Sequence, residues 1–175
     1  MNINGRWVTV VDNLLSAKQC NELIARLDNV DELEKVERSN MANYQRNVLI
    51  DDELATRVYE TVKPYLPPGI PTARCNEYFR FSKYEPGEEF KIHRDGINQD
   101  RFGNRAKFTV NIFLNAEFKG GETDFFDESR IFQFRAVPAV GRGGVFDREI
   151  LHCGNKVLEG TKYLLRTDVM VSDGL

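Results

Sequence analysis

Residues 107–127, KFTVNIFLNAEFKGGETDFFD, hold two short runs of aromatic and β-branched residues separated by Asn115 and the Gly120–Gly121 pair. Runs of this length, bounded by Gly, Pro or Asn, read as strands and not as helices. The same texture recurs on both sides. CNEYFRFSKY (75–84) precedes the stretch, and IFQFRAVPAV (131–140), GGVFD (143–147) and KYLLRTDVMV (162–171) follow it. Strands that succeed one another without intervening helical periods assemble into a sandwich or a rolled barrel, not a βαβ sheet. Gly120–Gly121 and Gly141, Gly143 and Gly144 read as turn chemistry.

The first part of the chain differs. RWVTVVDN (6–13) reads as a short strand with Trp7, Thr9 and Val11 on one side. Ser16-x-x-Gln19 is a capping box that opens a helix through Leu27, with Leu15, Leu23, Ile24 and Leu27 as its apolar stripe. A second helix is predicted from about Asp51 to Val62, acidic at its start and stopped by Pro64 and Pro67–Pro68. MANYQRNVLI (41–50) reads as a surface loop. The expectation is one domain over 1–175: a helical support region over about 1–70 and a strand core over about 71–175.

Hydrophobic residues make up 41% and charged residues 29%, a balance that supports a core. No apolar run approaches the roughly 20 residues that span a bilayer, and no signal peptide is legible, so a cytoplasmic protein with no membrane partner is expected. Cys20, Cys75 and Cys153 show no C-x-x-C spacing, which argues against a zinc ribbon or a disulfide scaffold. With 27 Asp+Glu against 24 Lys+Arg and a net charge of −3, the cationic footprint of a nucleic-acid protein is missing. No feature specifies an oligomeric state.

The chain has only two histidines. His93 lies in IHRDG, two residues before Asp95, and residues i and i+2 of an extended segment point the same way. His152 follows GGVFD, where a strand ends. Two imidazoles and one carboxylate, leaving open positions, are what non-haem Fe(II) oxygenases use. A lone H-x-D is weak; its surroundings decide.

Residues 76–172 resemble the 2-oxoglutarate/Fe(II) dioxygenase superfamily, in particular its prolyl 4-hydroxylase-like branch. The resemblance rests on KYEPGEEFKIHRD (83–95), on FTVNIFLNAEFKGGETDFF (108–126) with Phe113 in place of the family's tyrosine, and on VPAVGRGGVFDREILHCG (137–154). It implies a mainly β (α+β) fold, a double-stranded β-helix (jelly-roll, cupin-like) core with N-terminal helices packed against it. It also implies Fe(II), 2-oxoglutarate and dioxygen, with ascorbate as an optional reductant. By the same resemblance His93, Asp95 and His152 are the metal ligands, Tyr84 touches the cosubstrate and Thr109 hydrogen-bonds its distal carboxylate. Lys162 falls where this branch places the cation for that carboxylate.

Independently, a buried lysine on an aromatic strand calls for an anionic partner. Lys162, Leu164, Arg166 and Asp168 share one face of their strand, so Arg166 is a second candidate anchor, a grip on substrate, or one half of a surface pair with Asp168.

The expected activity is hydroxylation of an aliphatic C–H of an amino-acid-like or small-molecule substrate, because the chain carries no appended peptide-binding domain. The alternatives are a protein prolyl or other side-chain hydroxylase acting on a peptide and, from another class, a non-catalytic cupin-like metal-binding or sensor domain. Cupins bring more histidines to the metal than this chain owns.

Overall fold

Strands dominate the element order, as the alternation of residues 75–171 requires. The computed structural model describes residues 1–28, 33–38, 41–70 and 73–172. The N-terminal part gives β1 (Asn2–Ile3), β2 (Arg6–Val11), α1 (Ala17–Asp28), β3 (Glu34–Arg38), β4 (Ala42–Ile50) and α2 (Asp52–Val62), which runs into a 3-10 turn at Lys63–Tyr65. Then come β5 (Ala73–Cys75), β6 (Tyr78–Tyr84), β7 (Glu89–His93), β8 (Arg105–Phe113), β9 (Phe118–Gly120) and β10 (Thr123–Phe126). The chain ends with β11 (Phe132–Ala136), β12 (Gly143–Asp147), β13 (Leu151–Gly154), β14 (Val157–Gly160) and β15 (Lys162–Val171).

Thirteen strands form one sheet in the order β1-β2-β12-β8-β15-β6-β4-β7-β13-β10-β11, with β3 added to β4 and β5 to β15. A separate pair, β14 and β9, caps one end. β4 pairs with β6 from Gln45 to Ile50 and with β7 at Ala42 and Asn43. One strand thus serves both halves and folds the sheet onto itself. The result is the jelly-roll, with two helices packed on its outside.

β8 shows how the pattern sorts residues. Phe108, Val110 and Ile112 join the cluster beneath the helices, with Leu23 and Leu27 of α1 and Leu54, Val58 and Val62 of α2. Phe113 instead joins Phe125, Phe146 and Ile150 in a second cluster within the roll. Both faces of the strand are covered from Phe108 onward, and the face opposite Phe108, Val110 and Ile112 buries Thr109 and Asn111 beside Phe113.

The helix signals act as read. The Ser16 amide donates to Gln19 Oε1 at 2.9 Å and the Gln19 amide to Ser16 Oγ at 3.3 Å, closing the capping box. Asp51 caps α2, accepting from the Leu54 amide at 2.8 Å. The three cysteines are free and buried. Among the described residues, no helix is long and apolar enough to cross a membrane.

Two expectations are corrected. Residues 41–50 are not a surface loop but the nine-residue strand β4. The first 70 residues are not only helical support, since β2 and β4 stand inside the sheet order.

Gly141 fastens the N-terminal segment to the roll. Its carbonyl accepts from the Leu14 amide at 2.8 Å, its φ is +74°, and an added Cβ would lie 1.9 Å from the Leu15 carbonyl oxygen. Gly141→Ala should therefore destabilise the protein by about 2 kcal/mol or more in urea unfolding. Gly5 has φ +83° but open space around it, and Gly5→Ala should lose only about 1 kcal/mol. Equal losses at the two positions would show that the close approach to Leu15 is immaterial.

Candidate metal and cosubstrate site

β7 and β13 are antiparallel neighbours, and their register sets His152 directly against His93. Asp95 follows on the extended continuation of β7, tied by its amide to the Arg148 carbonyl at 3.0 Å. One ligand atom from each of His93, Asp95 and His152 lies within 4.8 Å of the others. His93 Nε2 is 3.7 Å from Asp95 Oδ1, and His152 Nε2 is 3.9 Å from Asp95 Oδ2.

Each imidazole is oriented by its own strand. His93 Nδ1 lies 2.7 Å from the Lys91 carbonyl oxygen and His152 Nδ1 lies 3.0 Å from that of Ile150. A carbonyl only accepts, so Nδ1 carries the proton and Nε2 presents its lone pair inward. Phe90 stacks on the His93 ring at 3.6 Å and 7°, and Phe146 packs tilted against His152 at 4.7 Å. Two fixed Nε2 atoms and a carboxylate match the donor set of a ferrous facial triad.

The electrostatics suit a cation. Burial holds His152 down to about 4, overriding the pull of Asp95, so the ring is neutral and able to ligate. Burial opposes ionisation of Asp95 but is outweighed by the neighbouring His152 and Arg166 and by the hydrogen bond from Thr109. The Asp95 carboxyl therefore sits far below the usual carboxylate range.

Beside the three residues lies an inner cavity lined by Ser82, Tyr84, Asn111, Thr123, Lys162 and Leu164, among others. Lys162 is 1% exposed. Its Nζ stands 4.8 Å from the Tyr84 ring centre and 5.5 Å from that of Phe113. Among the described residues, no carboxylate lies within ion-pairing distance of it.

Thr109 is elsewhere. Its hydroxyl donates to Asp95 Oδ2, and it stands opposite Asp168 on β15. Six residues of β15 separate Asp168 from Lys162, roughly 20 Å at the usual rise of a strand. Thr109 therefore steadies Asp95 and does not reach the lysine end; the threonine on that cavity wall is Thr123. Arg166 also sits at the Asp95 end, with its guanidinium 2.8 Å from Asp95 Oδ1. Asp168, 3.7 Å from Arg166, is buried, so the two are not a surface pair.

Sequence reasoning missed Ser82, Asn111, Thr123, Arg80 and Arg148. Ser82 and Arg80 were within reach, at two and four positions before Tyr84 on the same strand face. Residues 98–105, NQDRFGNR, which follow the H-x-D, are tied down: Asp100 accepts from the amides of Phe102 and Asn104 and pairs with Arg74 at 2.8 Å.

The profile of the 2OG-Fe(II) oxygenase superfamily matches residues 79–167. The chain belongs to this superfamily. It is a 2-oxoglutarate-dependent dioxygenase whose cofactors are Fe(II) and 2-oxoglutarate.

Solved structures share its fold. The viral collagen prolyl hydroxylase of Paramecium Bursaria Chlorella virus-1, in complex with 2OG, is 20% identical with a TM-score of 0.72, over 97% of this chain and 98% of that one. A Pseudomonas putida prolyl-4-hydroxylase is 20% identical with a TM-score of 0.65, over 95% and 93%. The Trichoplax adhaerens prolyl hydroxylase, in complex with a hypoxia inducible factor peptide fragment, is 14% identical with a TM-score of 0.67, over 94% and 83%. No curated protein matches the sequence.

Burial holds the Lys162 ammonium down to about 8, against an ordinary 10.5. A base whose pKa falls on folding releases protons as the chain folds. Its charge thus opposes folding below pH 8, and the opposition fades as pH rises towards the unfolded value. Lys162→Met should stabilise the ligand-free protein at pH 7 by up to about 3 kcal/mol in urea unfolding, the gain shrinking near pH 10. A destabilised variant would mean that the ammonium already has a favourable partner.

Proposed function

We propose that the enzyme hydroxylates a prolyl residue of a peptide, with Fe(II) held by His93, Asp95 and His152. The observation that carries the metal assignment is the convergence of three ligand atoms with both imidazoles locked Nε2-inward. Likeness to prolyl hydroxylases over nearly the whole of both chains supports the substrate class. It also weakens the argument for a small molecule. A chain of this size spans 98% of the viral collagen prolyl hydroxylase, so a short chain is no sign against a peptide.

Lys162 is the proposed anchor for the distal carboxylate of 2-oxoglutarate. The dianion brings the charge that the buried ammonium needs, and Tyr84 and Thr123 on the same cavity wall offer hydroxyl groups to it. Arg166, four residues along β15, is already committed to Asp95 at 2.8 Å. It is proposed to act at the metal end, keeping Asp95 ionised. Thr109 holds the second oxygen of Asp95 and so fixes the plane of the carboxylate. Leu164 and Phe113 give the lysine end apolar walls that exclude water. Bound here, Fe(II) with 2-oxoglutarate and dioxygen supplies the oxidant that turns a C–H bond into an alcohol, releasing succinate and carbon dioxide.

His93→Ala and Asp95→Ala should each abolish 2-oxoglutarate-dependent succinate formation. Lys162→Ala should raise the KM for 2-oxoglutarate about tenfold or more while lowering kcat less. Since the free ammonium titrates near 8, 2-oxoglutarate affinity should fall about tenfold per pH unit above that value, and Lys162→Met should lose this dependence. Mass spectrometry of a prolyl peptide panel should show oxygen added to proline. Succinate release stimulated only by non-prolyl substrates would sink the prolyl assignment.

A further inference from the structure

The mouth of the site is charged out of keeping with the rest of the molecule. The chain carries a net charge of −3, yet Arg46, Arg80, Arg94, Arg148 and Arg166 all line one outer cavity of about 470 Å³. Asp95 is the only carboxylate on its wall among the described residues. That volume accommodates an amino acid or one residue of a peptide.

Most of these guanidiniums are already occupied. Arg46 forks onto Glu34 at 2.7 and 2.8 Å, and Arg94 pairs with Glu128. Arg148 pairs with Asp168 and donates to the Gly96 carbonyl. Arg80 is different. Among the described carboxylates it reaches only Asp168, at 3.5 Å, and Asp168 also serves Arg148 and Asn98.

Arg80 and Arg166 stand directly opposite one another on β6 and β15. Like charges facing across strands destabilise a sheet unless an anion lies between them. Asp168 touches both only at long range, 3.5 and 3.7 Å. The Nε of Arg166 is buried without a hydrogen-bond partner. Once Asp95 serves a cation, its charge no longer balances Arg166.

We infer that Arg80 and Arg166 bind a carboxylate of the substrate beside the oxidised residue. Paired guanidinium donors suit the two oxygens of a carboxylate. A nucleic-acid backbone fits less well, because Arg46 and Arg94 at the rim are already neutralised. The carboxylate has two possible sources: the α-carboxylate of a free amino acid, or an acidic side chain next to the target in a peptide. This inference rests on the proposed substrate site, and the test separates the failure of the one from that of the other.

The protein is loaded with Zn(II) and saturating 2-oxoglutarate and titrated calorimetrically with matched probes. L-proline is set against L-prolinamide, capped prolyl-glutamate against capped prolyl-glutamine, and the same pairs are built on leucine. In one prolyl pair the charged probe should bind about tenfold tighter or more, and that pair identifies the source. Arg80→Gln should bring the ratio towards one, and Arg80→Lys should restore part of it. Equal affinities within every pair, no binding of any charged probe, or a preference that survives Arg80→Gln overturns the carboxylate site. The wild-type comparison stands even if a variant misfolds. A preference shown equally by leucine probes upholds the carboxylate site and removes the prolyl assignment.

Discussion

The register between β7 and β13 is the constraint on which the rest depends. It sets two imidazoles side by side on neighbouring backbones, where directly opposed residues lie about 5 Å apart. A slip of one residue would turn one ring to the opposite face of the sheet. Each ring is then pinned by the carbonyl two residues before it and by an aromatic neighbour. The third donor comes from the continuation of the same strand, tied to the turn before β13. Three residues distant in sequence thus converge through local backbone geometry.

Around that centre the roll buries charge at both ends. At one end Asp95, Arg166, Asp168 and Arg148 form a connected set of ion pairs. At the other, Lys162 is enclosed by rings with no carboxylate at hand among the described residues. Buried charge is costly unless paired. The contrast therefore separates a metal end that is laced by ion pairs within the protein from a cosubstrate end whose lysine has none among the described residues.

Much of this was legible in the sequence. The strands from residue 75 onward declare themselves by alternation and by turn residues, and a chain with two histidines leaves little choice of imidazole ligands. β4 was not legible, because NYQRN is polar and without alternation. It is a strand because β3, β6 and β7 pair with its backbone, a tertiary effect that overrides local preference. Thr109 was expected at the distal carboxylate but meets Asp95 instead, since depth along the roll depends on a register that one sequence does not reveal. Arg148 stayed hidden because its carboxylate, Asp168, lies 20 residues away on β15.

β4 also carries Tyr44 and Arg46, two residues of the outer cavity wall, on the very strand that joins the two halves of the roll. In many enzymes the rim can lengthen or shorten through loops without disturbing the scaffold. On this side it cannot, because an inserted residue would shift the pairing with β6, β7 and β3 together. Divergence of specificity along this wall must proceed by exchanging side chains on a backbone of fixed length, so homologues with different targets should differ here in residue identity while keeping the same spacing.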